Sequence, residues 1–141
     1  LDQGMVAAVQ WLAEDFERRT GVPTQVRTSS QTIEVPNAVQ LVAYRTAQEA
    51  LTNISKYANS SQVRIDLSDS EGVLTLEVSD NGQGLEPAAL DKPKAFGLKG
   101  LQERALTVNG WLDISGSPGH GTSVILSVPL GSVASATGET Q

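Results

Sequence analysis

No cysteine occurs anywhere in the chain, which excludes a disulfide framework, a thiolate nucleophile and a thiolate metal site. Basic residues are also scarce: 10 lysines and arginines against 16 acids leave a net charge of −6. With no basic stripe to displace counterions, the chain is not read as a nucleic-acid surface, and proteins or small molecules are the expected partners. No apolar run approaches the roughly 18 residues of a membrane span, no secretory signal pattern opens the chain, and no internal repeat divides it. At 141 residues it reads as one domain, long enough to bury a core without covalent staples. Residues 1–5 begin at Leu1 instead of a start methionine and read as the remnant of an upstream linker, residues 6–130 as the domain, and residues 131–141 as a small, polar, disordered tail.

The stretch around which the rest is arranged runs from Pro36 to Ala58. Pro36 suits a first helical turn, and Val39, Val42, Ala43, Ala47, Ala50, Leu51, Ile54 and Ala58 recur at three- and four-residue steps. Along one flank Glu49, Asn53 and Lys56 fall at i, i+4 and i+7, within an arc of roughly 60°. They bring a carboxylate that can take a proton, a neutral oxygen suited to a hard cation, and a point charge suited to phosphate. On this helix alone, a solvated face with ordinary Glu-to-Lys pairing is the simpler reading.

Elsewhere the periodicities alternate between helix and strand. Met5 to Arg19 carries the stripe Val6, Val9, Leu12, Ala13 and Phe16, and Gly21 with Pro23 ends it. Gln25 to Thr28 is a short strand before a polar loop at 29–32. Gln62 to Leu67 and Val73 to Ser79 alternate with period two and are joined by turn residues Asp69 to Gly72, a hairpin. A helix is expected over Leu101 to Val108, ended by Asn109-Gly110, and two more strands at Trp111 to Ser115 and Thr122 to Leu130, joined by a glycine-rich loop at 116–121. Trp11 and Trp111 are expected in the core or at an interface, and packing of Trp11 on dimerisation helices outside this chain is a functional alternative. This order predicts an α+β sandwich: a mixed, largely antiparallel sheet covered on one face by helices.

Two glycine-rich stretches remain. Asp80-Asn81-Gly82-Gln83-Gly84 follows a strand, so its carboxylate can project from a backbone left open to a ligand, although a loop capped by an Asx turn explains it equally well. Gly97-Leu98-Lys99-Gly100 opens a helix, where bare N–H groups can face an anion, with close packing as the competing reading.

Taken in order, these pieces resemble the ATP-binding domain of bacterial sensor histidine kinases, of the gyrase, Hsp90, histidine kinase and mismatch-repair ATPase superfamily with its Bergerat-type fold. Residues 44–53 look like the N box, 80–84 and 97–100 like the two glycine boxes, and 119–122 like the closing glycine-threonine element. Gln48-Glu49-Ala50-Leu51-Thr52-Asn53 and Leu101-Gln102-Glu103-Arg104-Ala105 are closest to the subgroup of nitrate, desiccation and membrane-fluidity sensors.

The resemblance implies ATP and Mg²⁺ as ligands, with Asn53 on the metal and Glu49 as the catalytic residue that orients or deprotonates a partner imidazole. It implies nucleotide contacts from Asn53, Lys56, Tyr57, Asp80, Gly82, Gly84, Leu85, Gly97, Leu98, Lys99, Gly100, Leu101, Gly121 and Thr122. Asp80 would accept from the adenine amino group with Thr122 in support, and a lid at 85–96 would hinge at Gly97 and Gly100. The chain departs from the subgroup at Tyr57, where histidine is usual. Its one histidine, His120, lies in a loop rather than on an exposed helix, so the phosphoacceptor is expected on a dimerisation domain outside this chain, with a response regulator downstream. The resemblance also implies a cytoplasmic domain without membrane contact of its own, in a parent protein that can be anchored in the plasma membrane. A serine kinase of the anti-sigma-factor type, or an ATP-sensing module without transfer, are the competing readings.

Overall fold

The computed structural model describes residues 4–30, 32–54, 62–82, 98–116 and 121–130, and of residues 98 and 99 the backbone alone. Lys56, Tyr57, Gly84, Leu85, Gly97 and His120, the lid at 85–96 and the tail at 131–141 lie outside the described residues.

Helix α1, Met5–Thr20, buries Met5, Val6, Val9, Leu12, Ala13 and Phe16, one stripe of a 3.6-residue period. Gly21 ends it in the left-handed region (φ 76°), its N–H donating to Glu17 O at 2.7 Å, as a backbone free of Cβ strain allows. The Glu17 carboxylate then accepts the Thr24 N–H at 2.9 Å, tying the helix end to β1, Thr24–Thr28. Helix α2, Asn37–Asn53, starts one residue later than expected. Pro36 is its N-cap with ψ 150°, extended rather than helical. It buries Val39, Val42, Ala43, Thr46, Ala47, Ala50 and Leu51, and the Thr46 hydroxyl, fully buried, donates back to Val42 O at 2.8 Å.

Strands β2, Val63–Ser70, and β3, Val73–Asp80, form a hairpin closed by only two residues, Glu71 and Gly72, both with positive φ (55° and 77°). The turn is therefore of type I′, tighter than the four residues that the sequence suggested, because that geometry matches the twist of the strands. The other expected helix, α3, Leu98–Leu106, begins three residues early, so Gly100 sits inside its first turn. Burial of Leu101 and Ala105 offsets the modest helix penalty of one glycine. Asn109, left-handed at φ 61°, then turns the chain into β4, Trp111–Gly116, which pairs with β5, Thr122–Pro129.

The sheet order is β1-β2-β3-β5-β4, antiparallel except for the β1–β2 pair, which α2 joins by crossover. Strand alternation puts Val63, Ile65, Leu67, Leu74, Leu76, Val78, Val124, Leu126 and Val128 on one face, all buried. Helix α2 packs on β3 and β5, α1 on β1 and α2, and α3 on α2 and β4, so the helices cover that face. The opposite face is polar: Arg27 pairs with Asp66 at 2.7 Å, and Ser123 Oγ donates to Glu77 Oε2 at 2.6 Å. Neither tryptophan is in the core, Trp11 being 54% exposed and Trp111 50%. Among the described residues no helix is long and apolar enough to cross a membrane.

Candidate functional site

Where β3 ends, an apolar layer gives way to polar side chains. Val78 and Asp80 are two residues apart and so share the covered face, as do Val124 and Thr122 on β5. Asp80 is the register partner of Thr122 on one side and of Val63 on the other. The two polar groups therefore stand side by side at the rim of the core, with Asp80 Oδ2 and Thr122 Oγ1 both buried. Asp80 Oδ1 accepts the Gly82 N–H at 2.7 Å, the Asx turn that the sequence allowed, which fixes the carboxylate and curls the backbone away from the strand. Thr122 Oγ1 has no hydrogen-bond partner among the described residues. A buried hydroxyl in that position is costly to the fold alone and is suited to a ligand or a bound water.

Gly121 explains how the strands come this close. It has φ 84°, and a Cβ there would fall on the carbonyl oxygen of Asp80, well inside van der Waals contact. Gly116 is similar: a Cβ on it would lie 2.7 Å from Gly121 O. Both positions need glycine for space, and Gly121 needs it for conformation as well. Gly82 is buried, as a residue folded under the carboxylate must be.

Glu49 and Asn53 are half-buried at i and i+4 on α2, which packs against β3 and β5, so they lie on the side of the sheet that carries Asp80 and Thr122. Leu101 is 1% exposed, its side chain enclosed by protein. Gly100 is half-buried within α3, and a Cβ on it would make only ordinary contact with the Arg104 guanidinium at 3.6 Å. A cavity of about 320 Å³ opens at this same end of the sheet and shares residues with the site, being lined by Arg64, Glu77, Ser79, Asp80, Ser115, Gly116, Gly121, Thr122 and Ser123. Of these, the side chains of Arg64, Glu77, Ser79, Ser115 and Ser123 belong to the solvent-facing side by strand alternation, whereas those of Asp80 and Thr122 belong to the covered side. Sequence reasoning passed over Asn81: its Oδ1 accepts the Gln62 N–H at 2.9 Å, and its N–H donates to Gln62 O at 3.2 Å. In the sequence it is an Asn just past the end of a strand, a placement common to turns of every kind and therefore a weak signal.

Comparison with known proteins decides among the folds that end a sheet in this way. The family profile described as histidine kinase-, DNA gyrase B-, and HSP90-like ATPase matches residues 38–132. The chain belongs to this ATPase family. Relatives include the oxygen sensor histidine kinase NreB of Staphylococcus carnosus (strain TM300), 36% identical over 129 residues, covering 92% of this chain and 37% of NreB. The signal transduction histidine-protein kinase/phosphatase DegS of Brevibacillus brevis is 30% identical over 129 residues, 92% of this chain and 33% of DegS. The chain thus spans about a third of the length of these curated relatives. Among solved structures, the histidine kinase domain of the blue-light activated histidine kinase of Erythrobacter litoralis superposes with a TM-score of 0.79 at 22% identity, covering 92% of this chain and 62% of that one. The catalytic domain of histidine kinase ThkA does so with 0.73 at 15% identity, covering 89% and 90%. At those identities the likeness is one of fold. Within the ATPase family, the relatives that match this chain are named as histidine kinases.

Proposed function

We propose that this ATPase-family domain binds Mg²⁺-ATP and transfers the γ-phosphoryl group to a histidine on a dimerisation domain outside the chain, with a response regulator served downstream. The observation that carries the proposal is the Asp80–Thr122 pair, a buried carboxylate and a buried hydroxyl side by side at the end of the sheet. A carboxylate oriented by the Gly82 N–H is an acceptor, which matches the exocyclic amino group of adenine and not the oxygen of guanine. Thr122 Oγ1 can both donate and accept, so it can complete that contact directly or through water.

The metal, when bound, neutralises charge on the phosphates. Among the described residues there is no cluster of three or more His, Asp or Glu that would cage a cation alone. A neutral amide oxygen such as that of Asn53, shared with phosphate oxygens and water, is the donor set a hard cation accepts. Glu49 lies one helical turn before Asn53 on the same flank, within the same arc. Its carboxylate would accept the imidazole proton as the nitrogen–phosphorus bond forms and ADP departs. Lys56, close by in sequence, would add positive charge for the phosphates.

Titration calorimetry with a non-hydrolysable ATP analogue, with and without Mg²⁺, tests the binding half. Sub-millimolar affinity that strengthens with metal is expected, and no heat at millimolar nucleotide would overturn the reading. Transfer is then measured to a histidine-bearing dimerisation domain added in trans, where Glu49→Gln is expected to spare ATP affinity and slow transfer at least tenfold.

A further inference from the structure

Asp80 is held from three directions that the fold supplies by itself: β2 through Val63, β5 through Thr122, and Gly82 through its N–H. A fourth restraint comes from Asn81. In an antiparallel ladder the pair after Val63 and Asp80 would be Gln62 and Asn81, exchanging two backbone bonds. One of them forms normally, Asn81 N–H to Gln62 O at 3.2 Å. In the other, the acceptor for the Gln62 N–H is the side-chain Oδ1 of Asn81 at 2.9 Å, in place of its backbone carbonyl. The side chain therefore completes the ladder while the main chain of Asn81 leaves the strand for the turn to Gly82.

We propose that Asn81 is a positioning residue for nucleobase recognition. By standing in for a strand carbonyl it pins the backbone immediately after Asp80, and so holds the Asp80 carboxylate on the exocyclic amine of adenine. Beyond Asn81 the next residue is a glycine, the least constrained of all, so the pin adds to the Gly82 N–H in keeping the turn from swinging the carboxylate. Both Asn81 and Gln62 are exposed, so water replaces the lost bond in a truncated variant and the fold survives the change. The proposal rests on the ATP-binding reading.

The test compares dissociation constants for ATP and for purine riboside triphosphate, which lacks only the amino group, in the parent chain, Asn81→Ala and Asn81→Asp. The parent is expected to prefer ATP by about tenfold or more, the worth of a hydrogen bond to a charged acceptor. Asn81→Ala is expected to cut that preference to below about threefold. Asn81→Asp keeps an oxygen where Gln62 N–H donates and is expected to restore the preference to within about twofold of the parent. Its added charge weakens both triphosphates alike and cancels in the ratio. Equal weakening of both ligands in Asn81→Ala, an unchanged preference there, or no recovery in Asn81→Asp overturns the role of Asn81 while leaving ATP binding intact. A parent chain without any preference overturns the Asp80 reading, and this inference with it.

Discussion

Thr122 carries the sharpest consequence of a single side chain in this molecule. Its hydroxyl is buried without a partner among the described residues, so the fold bears a desolvation cost that a ligand would recover. Thr122→Val keeps the β-branched shape and is expected to leave stability unchanged or raise it by about 1 kcal/mol, while weakening ATP three- to tenfold. Paired thermal melts and titrations check this, and a variant that loses stability without losing affinity would make Thr122 structural. Glu71 offers the converse case, a residue working against its backbone. A glutamate at φ 55° in a type I′ turn is strained, and Asn-Gly is the preferred pair. Glu71→Asn is expected to stabilise by about 0.5–1 kcal/mol with no effect on nucleotide affinity, measured by urea unfolding.

Whole elements are fixed by their ends, and two glycines separate conformational strain from steric strain. A Cβ on Gly21, which caps α1 at φ 76°, meets nothing within 4 Å, so Gly21→Ala is expected to cost about 1 kcal/mol. Gly121 has a similar φ but would press its Cβ onto the Asp80 carbonyl, so Gly121→Ala is expected to cost more, about 2–4 kcal/mol, and to weaken ATP as the β3 end shifts. Equal costs in chemical denaturation would mean that the strands can part freely. Helix α1 also has a pH-sensitive end. Asp15 accepts from Arg19 at 2.8 Å and Arg18 at 3.1 Å, and the Arg19 guanidinium above all holds its carboxyl below the usual 3.8. A depressed carboxylate stabilises above its unfolded value and loses that contribution as pH falls through the folded one. The small difference in melting temperature between parent and Asp15→Asn is therefore expected near neutral pH and is expected to vanish as the pH falls through the depressed folded value.

At the scale of the molecule, one layer of helices on a five-stranded sheet leaves two tryptophans half in solvent. Trp11 stands on the side of α1 opposite its buried stripe, and Trp111 on the polar face of edge strand β4. Acrylamide is expected to quench both in the isolated chain, measured in Trp11→Phe and Trp111→Phe; protection of Trp11 upon adding a dimerisation domain would mark α1 as its docking face. Strong protection of either in the isolated chain contradicts the exposure described here.

Local order was legible because it is written in short-range patterns. The stripe of α1, the alternation of four strands and the capping glycine at 21 each follow from neighbours within a few residues, and the aspartate and glycines at 80–84 are recognisable as chemistry from their types and spacing. Other features depend on partners far away in the chain. The core is not reached by Trp11 or Trp111, though both are large and apolar, because Trp11 lies on the side of α1 away from its buried stripe and Trp111 on the outer face of β4 beside Ser127. Gly100 entered a helix because Leu101 and Ala105 gain more by burial than one glycine costs. That β5 rather than β4 lies against β3, and that Thr122 meets Asp80, follows from pairing across more than forty residues, where turn propensity has no influence and closure of one apolar face decides. The amino-acid sequence by itself determined the elements, the family resemblance and the chemistry available. Only the tertiary structure decided that a carboxylate, a hydroxyl and the backbone of Gly121 share one corner, and that Asn81 completes a ladder there, because proximity in space is set by packing and not by order along the chain.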